Sequence, residues 1–215
     1  MRPHPAEGKS HHPLTNGSSD DRASACRRCR RITDNGERDR HDHVKVGNLA
    51  GTPTDLPRIV EAFGELCADA ANRTEAIVTY EFMPYDYVVN TLDNALAVVE
   101  GANAGNGGLA IDTWHLGKLG LEPEELRRIP PRFVSWVELS DGPFGIAEEW
   151  LDEVINRRRL PGEGEFPIRE YVRVLRELGY RGPWGVEILS EELRNLPIEE
   201  IFDRAYATTM AQLDD

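Results

Sequence analysis

The chain has 215 residues, enough for one domain with a sizeable core, and a formal net charge of −13. Residues 1–43 hold nine Lys/Arg against seven Asp/Glu, which leaves −15 on residues 44–215. A body this acidic excludes a general binder of phosphate backbones, which needs a basic face, so no nucleic-acid partner is expected.

Residues 1–43 are rich in His, Arg, Asp, Ser and Gly, with almost no aliphatic residues and no apolar period at 2 or 3.6. Such a segment cannot bury enough surface to offset its ordering entropy, and it reads as a disordered or aberrant N-terminal segment. It even has the texture of out-of-frame translation of a GC-rich gene. Cys26 and Cys29 frame a CxxC among several histidines, which is half of a zinc site with no second pair at finger spacing. With Cys67, the three cysteines are too few for a disulfide framework. No apolar run approaches the ~20 residues that span a bilayer, and no secretory h-region is present, so a cytoplasmic protein without membrane association is expected.

From Val44 the texture changes, and residues 44–215 read as one domain. Val44 to Asn48 is a short strand, and Asp55 opens a helix with Ile59, Val60, Phe63, Leu66, Cys67 and Ala70 on its apolar stripe. Cys67 is therefore a core thiol. Ala76 to Phe82 is a strand, and a helix carrying Val88, Val89, Leu92, Leu96 and Val99 leads through a Gly/Asn loop to the strand Leu109 to Asp112. A short helix, Pro123 to Ile129, precedes the strand Phe133 to Leu139, and Ala147 to Asn156 is helical. The polar loop Arg157 to Glu165 leads to a helix from Ile168 to Leu178, stopped by Gly179. The strand Trp184 to Leu189 and a last helix, Ile198 to Leu213 with Ile201, Phe202, Ala205 and Met210 inside, complete the chain. Strict β/α alternation with apolar strands predicts an α/β fold with a parallel sheet. Five strands make a partial (β/α)8 TIM barrel, about five C-terminal units, with its chemistry at the C-terminal strand ends.

Four of these strands end in an acid: Glu81, Asp112, Glu138 and Glu187. In a parallel sheet those carboxylates converge at one end, and a buried carboxylate is costly without a positive partner, so the pattern points to a divalent metal. At each position alone a solvated strand-end acid is the competing reading. His115, three residues after Asp112, adds an acid/base or substrate-binding group to the same rim, or is a plain loop histidine. Either Glu138 or Asp141 can face the site, but one pleat cannot present both. Glu187 interrupts an apolar strand, and an unpaired acid there costs several kcal/mol, so it needs a partner. The loop after Arg157, Arg158 and Arg159 is either a solvated surface loop or a lid that holds an anionic or polyhydroxy substrate.

The order Tyr80-Glu81, Ile111-Asp112-Thr113-Trp114-His115, Val137-Glu138-Leu139-Ser140-Asp141, Arg159-Leu160-Pro161-Gly162-Glu163-Gly164-Glu165-Phe166 and Gly185-Val186-Glu187 resembles the xylose isomerase-like TIM-barrel superfamily of sugar phosphate isomerases and epimerases. The resemblance covers roughly residues 44–213 and implies Glu81, Asp112, Glu138 and Glu187 as ligands of one divalent ion. It implies that His115 and an arginine of the 157–159 run, Arg157 and Arg159 being the candidates, touch substrate. Glu138 stands where the family usually has His or Gln, and four carboxylates favour Mn2+ or Mg2+ over Co2+ or Zn2+. The family's first three strands have no visible counterpart.

The activity so implied is isomerisation or epimerisation of a sugar or sugar phosphate in carbohydrate metabolism, if the barrel is completed. Glu81 and Glu187 would be the catalytic pair that moves a proton next to a carbonyl, through an enediolate. The expected partner is a small sugar or polyhydroxy acid, and a homo-oligomer is compatible with the sequence. The alternatives are a lyase similar to 3-dehydroshikimate dehydratases, or a truncated, inactive barrel that acts only as an interaction protein. The endonuclease IV branch of the superfamily needs more histidines and a basic face, and is set aside.

Overall fold

The computed structural model describes residues 43–48 and 54–214; Cys26, Cys29 and the N-terminal segment before His43 lie outside the described residues. The strands are β1 (His43–Val46), β2 (Ile77–Glu81), β3 (Gly107–Asp112), β4 (Val134–Leu139) and β5 (Trp184–Val186). They form one sheet in the order β1-β2-β3-β4-β5, every pair parallel. Sequential order with helical crossovers is the winding of a (β/α) barrel, of which these five strands form part.

The helices are α1 (Leu56–Ala71), α2 (Leu92–Ala102), α3 (Thr113–Leu119), α4 (Trp150–Asn156), α5 (Ile168–Glu177), α6 (Glu191–Arg194) and α7 (Ile198–Leu213). Asp55 caps α1 by accepting the Arg58 N–H at 2.9 Å, which is worth about 1 kcal/mol. The helix buries Ile59, Phe63 and Cys67, spaced by four, and Phe63 meets Tyr80 edge to face at 5.9 Å. Burying a side chain of that size contributes about 1.5–3 kcal/mol.

Pairing and alternation give the sheet two chemically distinct faces. Val78, Tyr80, Leu109, Ile111, Val137 and Leu139 are buried in the hydrophobic core. On the opposite face, register aligns Lys45 with Thr79, Glu81 with Ala110, Asp112 with Glu138, and Glu138 with Gly185. Side chains two apart share a face, so Lys45, Glu81, Asp112 and Glu138 point the same way, and Glu187 follows two residues after Gly185.

A bulge in the β3–β4 pair sets this alignment. Leu109 pairs with Val134 and Ala110 with Trp136, so Ser135 is the extra residue, its hydroxyl donating to Leu109 O at 3.0 Å. Gly108 leaves room for it, since a Cβ there would stand 2.3 Å from Ser135 Oγ. Without the extra residue Asp112 would face Val137, and Glu138 would turn to the other face.

The sequence expectations differ from the structure at several places, four of which bear on the site or the core. Thr113–Leu119 forms a helix where a loop was expected, because Asp112 caps it by accepting the Trp114 N–H at 2.9 Å. α2 begins only at Leu92, and Val88 and Val89 are held before it by their N–H groups on Asp86. β5 stops at Val186, which is 39% exposed, so Glu187 leaves the sheet rather than interrupting a buried strand. Phe202 is 67% exposed, because the inward stripe of α7 runs through Ile201, Ala205 and the buried Thr209, one residue away around the helix.

Candidate metal centre

One carboxylate oxygen from each of Glu81, Asp112, Glu138 and Glu187 lies within 4.8 Å of the other three. Four like charges at that separation repel strongly unless cations lie among them. Two do. Lys45 Nζ donates to Glu138 Oε2 at 2.6 Å, Glu81 Oε1 at 3.0 Å and Glu187 Oε1 at 3.2 Å. Arg158 Nη1 reaches Asp112 Oδ2 at 2.7 Å and Glu187 Oε2 at 3.0 Å. Trp136 Nε1 donates to Glu138 Oε1 at 2.9 Å, and Ser140 Oγ to Asp112 Oδ1 at 3.2 Å.

These partners divide the acids into different states. Burial first, then the charge of Asp112, pushes the Glu81 carboxyl up to about 7 despite Lys45. Burial acts the same way on Asp112, but Arg158, His115 and the Trp114 N–H outweigh it and hold that carboxyl below its usual range. Glu138 is raised, chiefly by burial. The site thus pairs a carboxylate fixed in its charged form with one poised near neutrality, the separation of roles that acid/base chemistry uses.

His115 stands in the first turn of α3, 4% exposed, with Nε2 3.6 Å from Asp112 Oδ2 and 3.8 Å from Glu81 Oε1. Burial pushes its pKa down to about 4, so at neutral pH the imidazole is uncharged and these approaches are not ion pairs. Its Nδ1 is buried without a hydrogen-bond partner among the described residues. Tyr85 stacks on Trp150 at 4.4 Å and meets the His115 ring edge-on at 6.3 Å, so an aromatic wall adjoins the acid cluster.

Of the three consecutive arginines, Arg158 enters the cluster. The segment bridges antiparallel to Ser190 at Arg157 and to Asp141 at Arg159, and between those bridges Arg158 is turned inward onto Asp112. Arg157 is 64% exposed and pairs with Asp152, and Arg159 donates to Glu163 O at 3.4 Å. Asp141 faces away from the cluster. It accepts N–H groups of Gly142 at 2.7 Å, Gly162 at 2.9 Å and Phe166 at 3.0 Å, which shapes the 159–166 loop. Lys118, its side chain fully buried, ties Pro143 O, Gly145 O and Glu153 Oε1 together at 2.7–2.8 Å and anchors the segment that leads into α4.

The sequence reading did not include Lys45 or Arg158 as site residues. The signal available for Lys45 was rarity: the chain has three lysines against 22 arginines, and this one alternates with valines in a strand. For Arg158 the run itself was visible, but not which of its members the pleat turns inward.

The family model for the xylose isomerase-like TIM barrel matches residues 4–209. The chain belongs to that family. The match extends N-terminal to β1, and the fold class expected from the sequence, a partial barrel of parallel strands, is the one observed. The chain is 28% identical over 120 residues to 3-dehydroshikimate dehydratase of Pseudomonas aeruginosa, covering 56% of this chain and 19% of that protein. It is 26% identical over 155 residues to inosose isomerase of Bacillus subtilis, covering 70% and 53%. Among solved structures, the IOLI protein with a bound zinc atom superposes with a TM-score of 0.70 at 22% identity, over 80% of this chain and 63% of that one. The chain thus spans between about a fifth and about half the length of these curated relatives. No helix among the described residues is long and apolar enough to cross a membrane.

Proposed function

We propose that this chain carries the metal centre of a divalent-metal-dependent isomerase or epimerase that acts on a sugar or related polyhydroxy ketone. It would work by removing a proton next to a carbonyl, through an enediolate. The observation that carries this reading is the convergence of the acids: one oxygen from each of four carboxylates lies within 4.8 Å of the other three, a cluster of hard oxygen donors of the kind a divalent cation takes. The all-oxygen donor set suits a hard ion such as Mn2+ or Mg2+, and the zinc bound by the IOLI protein keeps Zn2+ and Co2+ in the tested set. Glu81, Asp112, Glu138 and Glu187 would hold the ion, and when bound it would polarise the substrate carbonyl.

The chain's own residues then divide the remaining work. Glu81 would take and return a proton on one face of the substrate, and Glu187, its side chain 32% exposed, can serve the opposite face. Neutral His115 can donate or accept a hydrogen bond to a substrate hydroxyl. Tyr85 and Trp150 offer an apolar surface to a ring. A dehydratase reading is favoured by a different observation, the match to the Pseudomonas enzyme. It shares the proton abstraction and adds loss of a β-hydroxyl as water.

The test is incubation of the full chain with Mn2+ in D2O and a panel of keto-hexoses, an inosose and 3-dehydroshikimate, followed by NMR. Deuterium uptake at the carbon next to the carbonyl, lost in Glu81→Gln, supports the reading. An aromatic dehydration product from 3-dehydroshikimate moves the assignment to the lyase. Absence of calorimetric Mn2+, Mg2+, Co2+ and Zn2+ binding refutes both.

A further inference from the structure

Lys45 and Arg158 neutralise the same acids in physically different ways. Arg158 has a side chain 3% exposed, wedged between Asp112 and Glu187 with its guanidinium over the Trp114 ring at 5.1 Å. It is part of the wall. Lys45 extends a flexible four-carbon stem from β1, its side chain is 29% exposed, and its ammonium lies among the oxygens of Glu81, Glu138 and Glu187. An ammonium has three N–H donors, and these carboxylates supply three acceptors at 2.6–3.2 Å, so its hydrogen-bonding capacity is filled.

Those three residues are also three of the four candidate ligands. A hard divalent cation takes carboxylate oxygens at about 2.0–2.6 Å. An ion held by these oxygens would stand within a few ångströms of Nζ, where two like charges in a half-buried site repel strongly. Both oxygens of Glu138 are engaged, by Trp136 and Lys45, and both of Glu187, by Lys45 and Arg158, so an ion drawn to these residues competes with the ammonium for the same acceptors.

We infer that Lys45 is a built-in competitor for the divalent cation: it occupies the ligand set of Glu81, Glu138 and Glu187 and must swing toward solvent for the ion to bind. The inference rests on the metal reading above. Lys45 thereby sets the threshold of the site. The ion meets −3, from four carboxylates and Arg158, only after it has broken three charge-assisted hydrogen bonds. Weakly held ions are excluded, and the acid cluster stays partly neutralised in their absence.

The experiment is calorimetric titration of Mn2+ into the full chain and into Lys45→Met at neutral pH, with thermal melts of both, with and without the ion. Lys45→Met is expected to bind Mn2+ about 10- to 100-fold more tightly, the net worth of one charged hydrogen bond. It should melt lower than the parent without the ion and show a larger ion-induced rise in Tm. Lys45→Gln, which keeps hydrogen bonds to the carboxylates without the charge, gives the same reading if Lys45→Met does not fold. Equal or weaker Mn2+ binding in the variant overturns the competition and leaves the metal centre standing. Absence of binding in parent and variants overturns both.

Discussion

Arg158→Met tests whether the acid cluster depends on a buried guanidinium. The substitution keeps much of the stem's volume but removes the guanidinium paired with Asp112, whose side chain is fully buried. What remains on Asp112 is the Trp114 N–H at 2.9 Å and the Ser140 hydroxyl at 3.2 Å. Breaking a buried pair from one side leaves an uncompensated charge and costs about 3–5 kcal/mol, far more than the net worth of the intact pair. For a domain of this size each kcal/mol lowers Tm by about 2–4 °C, so the variant should melt roughly 6–20 °C below the parent. Far-UV circular dichroism at pH 7 with chelator present reads this directly. Arg157→Met is the internal control: that side chain is 64% exposed and paired only at the surface, and its loss should stay within about 0.5 kcal/mol. A fall of less than about 2 °C for Arg158→Met, or equal falls for both variants, would refute the assignment of Arg158 to the interior of the cluster.

The pH dependence of stability should be hidden in the parent and exposed by single variants. Glu81 sits at about 7 in the folded chain against an ordinary 4.5, so its stabilising contribution is complete below pH 4.5 and is lost as pH rises to 7, about 3 kcal/mol. His115 sits at about 4 against 6.5, so its contribution is complete above pH 6.5 and is lost, by a similar amount, as pH falls to 4. The two slopes oppose each other. Urea unfolding with chelator present should therefore show stability falling with rising pH in His115→Gln and rising with pH in Glu81→Gln; parallel profiles would remove the reasoning. Asp141→Ala deletes the acceptor of the Gly142, Gly162 and Phe166 N–H groups and should cost about 3 kcal/mol. Hydrogen exchange at Gly162 and Phe166 should accelerate, and unchanged protection there would show that the loop is held by other means.

The acids were legible in the sequence because each breaks a local rule. A carboxylate at the end of an apolar strand is expensive, so four of them at corresponding ends required an explanation, and convergence followed from parallel β/α alternation alone. Cations at the same place break no such rule. Arg158 lies in an arginine-rich run on a polar loop, where charge is expected, and only the pairing of Arg157 with Ser190 and of Arg159 with Asp141 fixes the phase that turns it inward. Helix α3 is hidden in the sequence for a related reason: the Asp112 carboxylate that joins the cluster also caps the helix through Trp114 and so aims His115 back over the cluster.

The decisive geometry rests on a feature with weak sequence signature, the bulge at Ser135. Alternation is a parity rule, so a single added residue decides whether Glu138 joins Glu81 and Asp112 or turns into the apolar face beside Leu109 and Ile111. The sequence left Glu138 and Asp141 as alternatives because they stand three apart and therefore have opposite parity in an extended chain. The bulge resolves the choice in favour of Glu138 for the cluster and assigns Asp141 to the loop. The small residue at Gly108 is thus a determinant of the site although it lies four residues from the nearest acid: any side chain there meets Ser135 Oγ at 2.3 Å and presses on the residue that sets the parity.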